Sequence, residues 1–203
     1  MSEFLVYLRL GFEHIADLKG YDHIVFIVAL TAVYSLSRWK DALLLVTAFT
    51  IGHTIALATA TLRLVTVNSI LVEILIPITI MVVALLELRK TWIQDDSSQA
   101  NKSDRKIRIT RYGITLFFGL IHGLGFSAFL RAVLGSEENI IGPLFAFNLG
   151  LEFGQLAILL TIMIASYLII QLTPVSRRIW SAFLSVSCGL IALIMLVSRL
   201  SSI

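Results

Sequence analysis

Phe145–Gln155 reads FAFNLGLEFGQ inside an otherwise apolar helical run. Asn148, Glu152 and Gln155 follow one another at i, i+4 and i+7, so they share one stripe of a helix. Gly150 and Gly154 fall on the opposite side, where a neighbouring helix can approach closely. Leu, Ile, Phe and Ala surround them, the composition of a membrane span. A carboxylate at the centre of such a span costs at least about 2.5–3.5 kcal/mol on insertion scales. Glu152 therefore needs a compensating partner. The candidates are a bound cation or proton and the chain's four histidines.

The whole chain supports the membrane reading. Of its 203 residues 58% are hydrophobic and 14% charged, far from soluble usage. The net charge of +3 needs no nucleic-acid partner, because most of the excess falls in one connection, as a positive-inside signal does. Cys188 is the single cysteine, which excludes disulfides within the chain and cysteine-rich metal clusters. Glu3 comes early and no small-residue cleavage site follows an apolar core, so no cleavable signal peptide is expected.

Six spans are expected, at about Asp22–Ser37, Asp41–Leu62, Ser69–Leu88, Tyr112–Leu134, Leu144–Leu172 and Arg178–Val197. Glu3–Phe12 carries Phe4, Tyr7, Leu8 and Phe12 near one helical face. It is too short to cross, so it lies in the interface, re-enters, or forms a short seventh N-terminal helix. The fold class is thus an all-α polytopic membrane bundle. Residues 1–203 form one transmembrane domain with a polar loop at about 91–109.

Arg38, Lys40, Arg89, Lys90, Lys102, Arg105, Lys106, Arg108, Arg111, Arg177 and Arg178 share one side in this arrangement. Arg9, Lys19, Arg63, Arg131 and Arg199 share the other. That bias makes the long loop cytoplasmic and the C-terminus extracytoplasmic, in a bacterial-type inner membrane.

With this orientation the buried polar residues gather at one depth. Asp22 and His23 sit at the outer mouth of the first span, and His53 lies about 14 Å from the outer end of the second at the helical rise. Glu73, His122 and Glu152 also fall in the outer half of their spans, and the inner half has few polar groups. Pro77, four residues after Glu73, leaves that residue's carbonyl without its helical donor. Gly119, Gly123 and Gly125 around His122 allow close helix approach or an unwound turn. The GH of the second span with the later NSILVE echoes IHG of the fourth with the later FNLGLE, suggesting a parallel duplication.

GYDHIVFIVAL, AFTIGHTIAL, VEILIPITI, FFGLIHGLGFSAFL and FNLGLEFGQL together resemble the HupE/UreJ family of small membrane proteins, over roughly residues 11–172. The resemblance implies a permease-like role in nickel or cobalt uptake for hydrogenase and urease maturation. It also implies His23, His53, His122, Asp22, Glu73 and Glu152 as metal ligands. His14 stands further from the Asp22–His23 pair than the family spacing, so it joins Asn148 and Gln155 as a supporting residue.

Each of these residues has a plainer reading. His53 and His122 can be neutral rings bonded to a carbonyl or to Thr50. Asn148, Glu152 and Gln155 can be interhelical glue, and Glu73 a protonated or water-bonded acid. Asp22 is a natural N-cap, His14 an interfacial histidine, and Glu87 an ion-pair partner of Lys90. Arg63 and Arg131 can snorkel.

Imidazole with carboxylate and no thiolate suits Ni²⁺, Co²⁺, Zn²⁺ or Mn²⁺ better than Cu⁺, so the expected cofactor or cargo is a divalent transition metal (Ni, Co or Zn). The leading function is transport of that ion from an outward-facing site, past Thr47, Thr50 and Thr115. The alternative is an intramembrane zinc hydrolase with Glu152 or Glu73 as base. A third reading is a structural subunit in which the site is a folding staple. The lipid bilayer and the metal ion are the expected partners, with a homo-oligomer left open.

Overall fold

In hydrocarbon a backbone must satisfy its own hydrogen bonds, and an apolar run does so as a helix. The computed structural model describes residues 2–18, 20–93, 102–134 and 140–202, with only the backbone of 93 and 102–106. Among these there are seven α-helices and no strand. They are α1 (Glu3–Ala16), α2 (Asp22–Thr31), α3 (Trp39–Thr61), α4 (Ser69–Ile93), α5 (Lys102–Leu134), α6 (Ile141–Leu172) and α7 (Arg177–Leu200), with a 3-10 turn at Leu36–Arg38 before α3. The five from α3 to α7 are long and apolar enough to cross a membrane. The chain is an all-helical integral membrane protein.

Three expectations about boundaries need correction. The first span, expected over Asp22–Ser37, is helical only to Thr31. At ten residues it is about 15 Å long, half of a hydrocarbon core. The segment before it is the short seventh N-terminal helix the sequence allowed, and it runs to Ala16 rather than ending at Phe12. The loop expected at 91–109 is helical at both ends, because α4 runs to Ile93 and α5 begins at Lys102; residues 94–101 lie outside the described ones. Hydropathy marks only the part of a helix that lipid requires, while the hydrogen-bond ladder continues through Lys, Arg and Ser.

Local chemistry sets several helix ends. Ser176 Oγ accepts the Ile179 N–H at 3.3 Å and caps α7. Past α3, Arg63 takes a left-handed conformation, φ 58°. The Leu64 N–H then reaches the Thr59 carbonyl at 2.9 Å and the Arg63 N–H reaches Ala60 at 3.1 Å, which is a Schellman closure. Pro143 sits in the first turn of α6, where a missing N–H is tolerated.

Two helix pairs are packed backbone to backbone. A methyl group on Gly52 would collide with the Leu116 carbonyl, and one on Gly119 or Gly123 with the carbonyl of Phe49 or His53. The facing numbers rise together, so α3 and α5 run parallel. In the same way Gly11 meets the backbone of Phe147, Gly150 that of Leu8, and Gly154 the Ile15 side chain. Helices α1 and α6 are therefore a second parallel pair. Helix α7 runs antiparallel along α4, placing Gly189 by Ala84 and Arg199 by Glu73.

Helix α2 descends antiparallel to α3 and α5, with His23 beside His122, Phe26 4.6 Å from Phe49, and Tyr34 beyond its end bonded to Arg111. Because α6 is also antiparallel to α3 (Thr54 meets Asn148, Thr47 meets Glu152), α1 and α2 run in the same direction. They follow one another along α6, α1 ending at Ala16 and α2 beginning at Asp22. The core between the pairs holds Phe26, Phe49, Phe147, Ile27, Leu45 and Leu151, each no more than 1% exposed.

The glycine contacts generate a test. Gly119→Ala and Gly150→Ala force helix axes apart and should each destabilise by about 1–3 kcal/mol or more. Gly113→Ala, where a methyl meets nothing within 4 Å, should be neutral to stabilising by up to about 1 kcal/mol. Thermal unfolding in detergent distinguishes the two sets.

Candidate metal centre

The break after α1 and the start of α2 bring two histidines to the same place. His14 lies in the last turn of α1 and His23 in the first turn of α2, with ring centroids 4.7 Å apart. His53 from α3 is 5.5 Å from His23 and 5.8 Å from His14; His122 from α5 is 5.2 Å from His23. The α3–α5 glycine contacts put those last two helices close enough for both rings to face α2. Two overlapping groups result, His14–His23–His53 and Asp22–His23–His122, and the ligand atoms of each lie within 4.8 Å of one another.

The hydrogen bonds around the rings leave lone pairs facing inward. Thr79 Oγ1 spends its proton on the Ile76 carbonyl at 2.7 Å, so its 2.9 Å contact with His122 makes Nε2 the donor. His122 Nδ1 is then the nitrogen with a free lone pair, and it is buried without a partner. Asp22 Oδ1 accepts from His23 Nδ1 at 3.0 Å and from the His23 backbone N–H at 2.9 Å. That leaves His23 Nε2 in the same condition, and His14 Nε2 and both nitrogens of His53 are also buried without a partner. Orienting one ring nitrogen so that the other is free is how proteins prepare imidazole for a metal.

The walls are aromatic. His14 lies 3.7 Å from Phe126, which stacks on Phe147, and His122 lies 4.9 and 5.1 Å from Phe26 and Phe49. His23, His53 and His122 are 3, 0 and 1% exposed. Four imidazoles and a carboxylate in an apolar enclosure can complete the coordination shell of a divalent ion, which no apolar wall could do.

Of the other carboxylates and amides expected beside these histidines, each has a partner on another helix. Glu152 accepts from Thr47 at 3.0 Å, Gln155 from Thr50 at 2.5 Å and Asn148 from Thr54 at 2.6 Å. Together they form a hydrogen-bonded seam between α6 and α3. Glu73 pairs with Arg199 at 3.2 Å, with both side chains about half exposed. Neither Glu73 nor Glu152 belongs to the two histidine groups.

Other residues also found different partners. Glu87 is buried and bonded to Arg111 rather than to Lys90. Arg131 donates to the Ala60 carbonyl at 2.9 Å and helps close the end of α3. His14 enters the centre because it lies seven residues after Tyr7 and three after Gly11, on the buried stripe of α1. That periodicity was available in the sequence; the Thr79 contact was not.

A buried imidazole cluster inside a bundle of long apolar helices defines a membrane protein with a candidate transition-metal site. The family model described as HupE / UreJ protein matches residues 1–199, nearly the full length, so the chain belongs to the HupE/UreJ family. Membership implies a function related to nickel or cobalt transport. No curated protein and no solved structure matches the chain.

Two hydroxyl deletions separate centre from seam. Thr79→Val strands the His122 Nε2–H in an apolar wall, so nickel affinity should fall about 10–100-fold. Thr54→Val removes one seam bond, costing about 0.6–1.7 kcal/mol of stability with affinity unchanged. Equilibrium dialysis and thermal unfolding read the two effects.

Proposed function

We propose that this protein carries Ni²⁺ or Co²⁺ across a bacterial-type inner membrane, and that His14, His23, His53, His122 and Asp22 take up the ion. The observation that carries this reading is the set of inward-facing imidazole nitrogens, drawn from four helices and left without partners. The His14–His23–His53 group holds no carboxylate and has Phe126 and Phe147 against His14, which suits a borderline ion that prefers nitrogen.

In this reading the chain crosses six times. Helices α1 and α2 share the first crossing as two half-helices in line, and the ion site lies at their break. Discontinuous helices at the site are a common construction in transporters. The excess of Arg and Lys near the α2–α3, α4–α5 and α6–α7 connections puts these inside, with the C-terminus outside and the histidines in the outer half. Glu152, Asn148 and Gln155 hold α6 to α3 beside the path. Glu73 serves at the outer surface.

The hydrolase reading gains no support, since Glu73 and Glu152, the acids it needed as base, both lie outside the histidine groups and have other partners.

Purified protein in vesicles should accumulate nickel or cobalt down a gradient, and His23→Gln should abolish both uptake and binding while Glu73→Gln leaves binding intact. Uptake by vesicles no faster than by protein-free ones, or nickel binding that survives His23→Gln, contradicts the proposal.

A further inference from the structure

A second polar layer lies on α4 and α5 and just past the end of α2, separated from the metal centre by an apolar septum. On α5, Arg111 precedes His122 by eleven residues, three turns and about 16 Å along the helix. On α4, Glu87 follows Thr79 by eight residues, about 12 Å. Beyond α2, Tyr34 stands eleven residues after His23. Between the layers lie Phe26, Leu30, Ile80, Val83 and Phe118, all buried.

The layer is tightly interlocked. The Arg111 guanidinium is bonded to the Glu87 carboxylate, and its Nη1 donates to the Tyr34 hydroxyl at 2.6 Å. Glu87 is 3% exposed, and its second oxygen, Oε2, is buried with no partner. The face of the Tyr34 ring carries Lys90 at 4.9 Å and Arg38 and Arg111 at 5.4 Å each. Arg38 also reaches Asp41 at 3.3 Å.

Three cations here face two carboxylates. A layer with surplus positive charge repels a metal ion, and a tyrosine held by cation–π and hydrogen-bond contacts blocks it sterically. This is an arrangement for exclusion, not for resting binding. We propose that Tyr34, Glu87 and Arg111 form the inner gate of the path, seen closed. The inference rests on the transport reading above.

The gate is mechanically joined to the centre through α2, which has Asp22 and His23 at its first turn and Tyr34 just past its last. A shift of α2 as its histidine engages the ion moves Tyr34 relative to Arg111. Once Arg111 swings off, Glu87 presents two carboxylate oxygens to a cation leaving for the inner side. The guanidinium thus stands where the cargo will briefly stand, neutralising the acid when no ion passes.

The test uses nickel ion in vesicles containing the full chain. Tyr34→Ala, and Glu87→Gln combined with Arg111→Gln so that no buried charge is orphaned, should raise the rate of nickel leak down its gradient about tenfold or more. Tyr34→Phe keeps the ring and loses only the bond from Arg111, so it is the least disturbing to folding and should give an intermediate rise. Nickel affinity in detergent should remain within about threefold of the unaltered protein, since a threefold change is well under one tenfold step of free energy. Unaltered protein that transports while every variant leaks at its rate overturns the gate alone. Loss of binding in Tyr34→Phe also overturns it, by making the layer part of the centre. No nickel movement through the unaltered protein or any variant overturns both the gate and the transport reading.

Discussion

A polar atom buried in an apolar bundle has no water to fall back on, and the structure is organised around how its polar atoms find partners. Threonine hydroxyls are the general solution. Thr47, Thr50 and Thr54 meet Glu152, Gln155 and Asn148 across the α3–α6 seam, and Thr79 takes one nitrogen of His122. The largest concentration of exceptions among the described residues is the histidine cluster, where five ring nitrogens stay unpaired. A folded protein tolerates that concentration of unmet demand where the demand is functional.

The glycine-locked pairs explain how the cluster can be both buried and shared. His53 and His122 ride on one pair, α3 with α5, and His14 rides on the other, α1 with α6; Asp22 and His23 stand between them on the short α2. Contacts within a pair are backbone against backbone and leave little room to adjust. Contacts between the pairs are side-chain hydrogen bonds and rings, which can re-form at another register. An ion bound by histidines from both pairs couples two units that are each stiff.

Much of this was legible in the sequence, and the losses have physical causes. Helices α3 to α7 follow from hydropathy alone, and the combination of GYDH, IGHT, IHG and FNLGLE carried the family, which the match over residues 1–199 shows. The division of labour between α1 and α2 was hidden, because hydropathy scores a run of side chains and does not see that one helix ends at Ala16 and the next begins at Asp22. Glu152 looked like a site residue because its cost in lipid demanded a partner; the sequence could not say that the partner was Thr47, 105 positions away. Glu87 was assigned to Lys90 by proximity in the chain, yet it lies on the buried stripe Val72–Ile76–Ile80–Val83, which aims it inward at Arg111. Spacing told which residues share a face, not which face meets which neighbour.

The central claim is that the imidazoles of separate helices act together on one ion. Nickel K-edge X-ray absorption on the loaded protein tests it most directly, because imidazole rings give a multiple-scattering signature that oxygen ligands lack. The account predicts a first shell dominated by nitrogen, with ring scattering from at least three histidines, as in the His14–His23–His53 group. A shell of oxygens alone, or a single imidazole with water, would contradict it.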